Sequence, residues 1–380
     1  MRRKTVVLSC GIPLLLISAL FTWLHFWSAG WEKRWLTFRQ QAEAQGEDFS
    51  WQTTYGTKGE KDNNFFAHPW VKEKATIDSD DPLFDNDVND MLMHSSMDSV
   101  EIDEASGKSK KQLWLEKADE LIAKHDKDLS ALCDAASRPE CSREISTWAA
   151  MAEDSSWSIL SDWSHLLLLR AYYRQATHER VGFEHDMSKL RAIAQHALGE
   201  HTTLAVVVGV GMFAWLNEIA KRDLAKGLAP EQKAFWLVCL RDPGKSLDRV
   251  LMDAMRVDRN GMLQLLENDF YNSNDFIARD AGESLWQKNF FVQKALLAGN
   301  KLMLCEDFQE SIAAPHLRGE AIGRSHFEEF KKRIEAHRKE DSFHGRIGLA
   351  PWIVLGSLHG GLDEIEKKRR RLLKKLAQSP

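Results

Sequence analysis

The densest group of side chains able to bind a metal or move a proton is His178, Glu179, Glu184, His185, His196, Glu200 and His201. A hydrolytic zinc centre needs two histidines on one helix face with an acid beside them. Neither H-E-x-x-H nor H-x-x-E-H occurs. His196 and His201 would stand about 140° apart around a helix of 3.6 residues per turn, so they share no face. His178 and His185 do share one, but about 10 Å of helix rise separates them, too far to chelate one ion. The group reads as solvated or capping side chains, with no metal bound.

Three further motifs fail on their surroundings. Val206 to Ala214 contains G-x-G-x-x-A. A dinucleotide fingerprint needs a strand before it and a second strand ending in an acid after it. Here helical patterning runs on to Leu224, so Gly209 and Gly211 are expected to permit close helix packing. Asp85, Asp87 and Asn89 begin like a calcium loop, but Asp90 stands where the glycine belongs and Ser96 where the bidentate glutamate belongs. His359-Gly360-Gly361 has the form of an oxyanion-hole segment, yet no G-x-S-x-G nucleophile elbow accompanies it. It is expected to be a loop before the closing helix. No cofactor is expected, and no catalytic residue can be named.

Two other groups carry chemistry of a different kind. Cys133 and Cys141 flank Pro139, where the chain must turn, and are the candidate disulfide; the alternative is free thiols throughout. Near the C-terminus, Lys367, Lys368, Arg369, Arg370, Arg371, Lys374 and Lys375 crowd one helix whose Leu362, Ile365, Leu372, Leu373 and Leu376 make an apolar stripe. These cations are candidate membrane-surface contacts, against the alternative of a solvated face on a packed closing helix.

The elements that must position these groups read as helices. Leu166 to Leu169 is apolar all round, which predicts burial on every side. Gly182 marks a turn. Met187, Leu190, Ile193, Ala194, Ala197 and Leu198 then follow helical spacing. Thr202 or Thr203 can cap a third helix that is wholly apolar from Leu204 to Leu216, too short to span a bilayer, and broken at Gly227. Upstream, a helix begins near Lys110 and ends before Pro139; residues 146–163 read as a connection. Downstream, Pro230 starts a helix at its first turn. Further helices are expected at 246–256, 259–268, 285–308 and 326–338, and the closing helix near Leu362.

The N-terminus is different. Arg2, Arg3 and Lys4 precede Thr5 to Trp27, which holds no Lys, Arg, Asp or Glu. That length spans a membrane, and the basic cluster places the N-terminus in the cytoplasm with the bulk outside. Cleavage after Ser28-Ala29-Gly30, and a lipoprotein role for Cys10, fit less well than an uncleaved anchor. Trp31 to Ala44 extends the anchor as an interfacial helix. From Gly46 to Ser109 periodicity fails, and no Lys or Arg occurs between Lys74 and Lys108, so an acidic flexible linker is expected. Phe65, Phe66, Trp70, Phe84 and Met91 to Met93 are expected to dock on the helical body. The divisions are thus 1–30, 31–109 and 110–380. A net charge of −5 over 380 residues does not favour nucleic-acid binding.

LLLLRAYYRQATHE, LRAIAQHALGEHTTLAVVVGVGMFAWLNE, AASRPEC and GRIGLAPWIVLGSLHGGLDEIEKKRRRLL together resemble a group of bacterial helical proteins with one N-terminal membrane span and no established function. The resemblance covers about residues 112–376 and implies an all-helical fold without implying chemistry. Members often continue past the closing helix; this chain stops at Pro380. The expected fold is therefore all-α, a helical-hairpin bundle or short solenoid-like array behind one transmembrane helix. The expected role is a non-enzymatic scaffold at the extracytoplasmic membrane face, bound to the bilayer by its span and to a protein partner whose identity the sequence does not give. The alternatives are an anchored envelope hydrolase and a membrane-surface factor acting through the basic last helix.

Overall fold

The computed structural model describes residues 2–50, 63–75, 88, 91–92, 106–143, 156–200, 202–241, 247–268, 294, 297–298, 301–302, 305 and 350–378. The elements are α1 (Arg2–Ala44), a 3-10 turn (Phe65–Ala67), α2 (Pro69–Ala75), α3 (Lys110–Ala135), α4 (Ser156–Ala176), α5 (Arg180–Gly199), α6 (Thr203–Lys226), α7 (Pro230–Cys239), α8 (Leu247–Asn268) and α9 (Ala350–Gln378). Among the described residues the only β pairing is an isolated parallel bridge between Asn64 and Glu140. The fold is all-α, as the periodicity predicts. The chain divides into two units, one holding residues up to Thr54 and from Asp258 to Ser357, the other holding most of the remainder.

In the first unit, α1 ends at a turn where Gly46 takes φ +89°. Beyond that turn the chain is held by a fully buried arginine. Arg259 donates through Nη1 to Glu47 Oε2 at 2.9 Å and through Nη2 to the Asp48 carbonyl at 2.8 Å. Its guanidinium lies over the Phe49 ring at 4.4 Å, and Phe49 meets Trp35 of α1 edge-on. Asn260 Nδ2 donates to the same Asp48 carbonyl at 2.8 Å. Helix α8 is continuous from Leu247 to Asn268, where a pair broken near residue 258 was expected.

The second unit is organised around α5, which packs on α4 on one side and α6 on the other, while α3 packs on α4. Ser109 caps α3 through a reciprocal capping box: Gln112 N–H donates to Ser109 Oγ at 3.2 Å, and Ser109 N–H donates to Gln112 Oε1 at 3.1 Å. Thr202 caps α6 by accepting from Ala205 N–H at 3.2 Å. Leu166, Leu167 and Leu169 are fully buried, as an all-round apolar run requires. Gly209 is where α6 meets α5: a Cβ there would stand 2.9 Å from the Ala194 carbonyl oxygen and 3.0 Å from Leu198 Cγ. Gly211 has nothing within 4 Å, so only the first glycine serves close packing.

Several boundaries differ from expectation. The turn between α4 and α5 is made at His178, whose φ is +64°, and Gly182 lies inside α5. Helix α4 begins at Ser156, taking in much of the expected connection, because Trp157, Ile159 and Leu160 bury against the body. Helix α9 begins at Ala350, so His359, Gly360 and Gly361 are helical and not a loop. Each glycine costs about 1 kcal/mol in a helix interior, too little to break a helix of this length. The expected helices at 285–308 and 326–338, and the calcium-like segment at 85–96, lie wholly or mostly outside the described residues.

The stretch 63–75 is packed on the helical body. Phe65 and Val71 are fully buried, and Trp70 Nε1 donates to Asp128 of α3 at 2.8 Å. Asn64 fixes it further, donating to the Ser142 carbonyl at 2.6 Å and accepting from Ser142 N–H at 3.2 Å. Trp114 Nε1 likewise donates to the Met91 carbonyl at 3.1 Å.

Candidate functional site

Two buried charge clusters lie within the α3–α6 body. The first centres on Asp186 of α5, which has no solvent exposure. Arg170 of α4 donates to it twice, through Nε to Oδ2 at 3.1 Å and through Nη2 to Oδ1 at 2.8 Å. Arg174, one turn further along α4, donates to Oδ2 at 2.9 Å. It reaches there across Gly182, where a Cβ would stand 2.7 Å from Arg174 Cδ. Burial pushes the Asp186 carboxyl up while both guanidiniums pull it down. Bidentate pairing with both oxygens facing cations is the geometry of a carboxylate. For Arg170, burial acts downward, but the Asp186 hydrogen bond and charge outweigh it and hold the guanidinium above its ordinary range.

Cys133, His185 and Asp186 bring potential ligand atoms within 4.8 Å of one another. Their surroundings do not suit a metal. Both Asp186 oxygens are taken by arginine, Arg170 Nη2 also donates to Cys133 Sγ at 3.3 Å, and burial raises the Cys133 pKa. A divalent ion would have to displace a fixed cation from a carboxylate that the cation already neutralises. Cys133 and Asp186 both bond Arg170, while His185 is exposed.

The second cluster closes the far end of α5. Glu200 accepts from Arg143 Nε at 2.6 Å, from Arg143 Nη2, and from Trp157 Nε1 at the start of α4. The Arg143 guanidinium lies 4.6 Å over the Phe66 ring. His196, one turn before Glu200, stacks on Phe65 with ring centroids 4.9 Å apart. Burial lowers its pKa to about 4, against the opposing pull of the Ala136 and Arg138 backbone. It is a neutral imidazole at pH 7.

The sequence-singled residues therefore scatter. His178 forms a turn, Glu184 pairs with Arg180 at 2.8 Å, and His185 is exposed. His196 and Glu200 correct the expectation of solvated side chains, because both are buried and hold 63–75, Arg143 and α4 against α5. His201 lies outside the described residues. Cys133 and Cys141 are free thiols in different clusters, Cys133 beside Arg170 and Cys141 beside Glu200 and Arg143. Burial first, then Glu200, holds the Cys141 thiol well above its usual range.

The basic run on α9 splits. Lys367, Lys368, Arg370, Arg371, Lys374 and Lys375 are exposed. Arg369 is not available to a surface: it is 4 % exposed, bonded to both Glu366 oxygens at 3.0 and 2.6 Å and to the Leu240 carbonyl at 3.4 Å. Leu372 and Leu376 are buried on the same side, and Asn217 of α6 donates to the Ile365 carbonyl at 3.3 Å. Lys368 pairs with Glu364 at 3.4 Å and with Glu218 at 3.5 Å, which raises its pKa, Glu364 contributing most. Arg370 pairs with Glu366 at 2.9 Å.

No family model, no curated protein and no solved structure matches this chain. Among the site residues that sequence reasoning missed are Arg170, Arg174 and Asp186. Their signal was a pair of arginines one turn apart immediately after four leucines, and a lone acid ahead of the Met187–Leu198 apolar stripe.

Proposed function

We propose that this chain is a single-pass, membrane-anchored helical interaction protein, with α1 as its anchor and the α3–α7 body as a scaffold on the extracytoplasmic side. The observation that carries the proposal is α1. It is one continuous helix from Arg2 to Ala44, and its Thr5 to Trp27 stretch contains no Lys, Arg, Asp or Glu. On it Leu20, Phe21, Trp23 and Phe26 are exposed at 37, 48, 59 and 69 %. Large apolar residues gathered in the open on one helix mark contact with lipid or protein. Trp23 stacks on Trp27 at 5.9 Å, beside the interfacial end of the span where tryptophan is favoured. Arg2, Arg3 and Lys4 support a cytoplasmic N-terminus. The resemblance to single-span bacterial helical proteins agrees with this arrangement.

Among the described residues, α6 is a helix long and apolar enough to cross a membrane. A core role suits α6 better. More than half of its apolar window is buried against protein, and its Asp223 accepts from Gln175 at 2.7 Å and Trp236 at 3.0 Å. The scaffold half of the proposal is supported by the buried charges. Arg170, Asp186, Arg143 and Glu200 are committed to joining helices, which is how a rigid body holds its register.

The test is fractionation and protease accessibility of the full chain. It should stay with membranes through alkaline extraction, and protease outside intact spheroplasts should digest residues beyond Trp31. Release by alkali would remove the anchor; protection until lysis would reverse the orientation.

A further inference from the structure

We infer that the outer face of α9 is an electrostatic contact surface for an anionic lipid bilayer. The inference deepens the membrane reading above but stands on a separate observation. Set on a helix of 3.6 residues per turn, Lys367, Lys368, Arg370, Arg371, Lys374 and Lys375 fall within an arc of roughly 160°. Arg369, Leu372 and Leu376, all buried, fall on the opposite side. The helix is thus docked through one face and presents the other to solvent as a nearly continuous strip of cations.

Part of that strip is neutralised from within. Lys368 is shared by Glu364 and Glu218, and Arg370 by Glu366. Arg371, Lys374 and Lys375 make no ion pair among the described residues. Beyond Glu366 the helix carries no acid at all, so the cations of its last two turns have no counter-charge on their own helix. The chain as a whole is acidic, with a net charge of −5 that already includes this helix. A basic end on an acidic protein is a directional feature, and self-solubility does not require it.

The occupant that fits is a layer of anionic headgroups. A regular, extended sheet of negative charge matches cations spread along a helix side without a pocket, and it needs no defined partner geometry. An anchored chain also holds such headgroups at high effective concentration, so contacts that are weak singly become sufficient. A free phosphate or a single acidic side chain would need convergent donors, which the strip does not have. Arg369, which holds both Glu366 oxygens, faces inward and takes no part.

Lysine footprinting on the full chain tests this. The protein is placed in vesicles of zwitterionic phosphatidylcholine, or of phosphatidylcholine with phosphatidylglycerol, and treated briefly with an uncharged amine-acylating reagent. Modification of Lys367, Lys374 and Lys375 should fall several-fold in the anionic vesicles. Modification of Lys124, exposed on α3, should serve as the unaffected reference. Raising salt to about 1 M, where the Debye length is about 3 Å, should restore modification. Changing Arg371→Gln and Lys374→Gln together should weaken the contact by roughly thirtyfold, at roughly fivefold per cation, and so restore Lys375 labelling without lowering the melting temperature. Equal labelling in both vesicles, or protection in both that ignores salt, overturns the proposal. A chain that fails to stay in vesicles after alkaline extraction would refute the anchor instead. The same chain mixed with preformed anionic vesicles would still show or lack the protection.

Discussion

Arg170 grips both oxygens of Asp186 from the neighbouring helix, at 3.1 and 2.8 Å, with the arginine 4 % exposed and the aspartate not at all. Each residue therefore depends on the other to be tolerated inside the body. Asp186→Asn leaves the Arg170 charge buried without its carboxylate partner, and should cost about 3–5 kcal/mol in denaturant unfolding. Arg170→Met combined with Asp186→Leu removes both charges and should recover most of that loss. A double variant as unstable as the single one would show that the pair is not the source of the cost.

The two glycines of α6 should respond with opposite sign. A methyl at Gly209 would press on the Ala194 carbonyl at 2.9 Å, whereas a methyl at Gly211 meets nothing within 4 Å. Gly209→Ala should destabilise by about 1–3 kcal/mol through overpacking. Gly211→Ala should stabilise by up to about 1 kcal/mol through helix propensity. Thermal unfolding of the two variants gives the comparison directly, and a shift in the same direction for both would contradict the packing described.

His196 should give the body an acid-sensitive component. Its folded pKa is about 4 against an ordinary value of 6.5. Between those values the unfolded chain binds the proton and the folded chain resists it, so stability rises with pH. The contribution is complete above pH 6.5 and is lost as pH falls toward 4, amounting to about 3 kcal/mol. His196→Gln should flatten the stability profile over that window relative to the native chain. An unchanged slope would assign the acid sensitivity to other groups.

What the sequence made legible was periodic and local. The burial of Leu166 to Leu169, the Thr202 cap, the Pro230 start and the packing role of Gly209 all follow from residues within a few positions of one another. What stayed hidden depends on distant partners. Nothing near Arg259 or Asn260 announces that Asp48 will accept from both, and two helices were expected where α8 is continuous. Glu200 looked like a solvated acid because Arg143 and Trp157 reach it from well outside its own helix. Gly360 and Gly361 suggested a loop because glycine weakens a helix, but the length of α9 outweighed that local signal. The basic strip was visible as composition, while the inward turn of Arg369 needed its partners Glu366 and Leu240.

The clasp of Arg259 on residues 47–49 bears on how the first unit carries load. A long helix that ends in a glycine turn would ordinarily act as a swivel, letting whatever follows spin or lag behind. Here the segment just past Gly46 is bolted down by one guanidinium holding the Glu47 side chain, the Asp48 carbonyl and the Phe49 ring. Tension or torque applied along α1 therefore enters α8 through Arg259 and is not dissipated at the turn. Weakening that bolt would leave the helix intact while uncoupling its motion from the unit behind it.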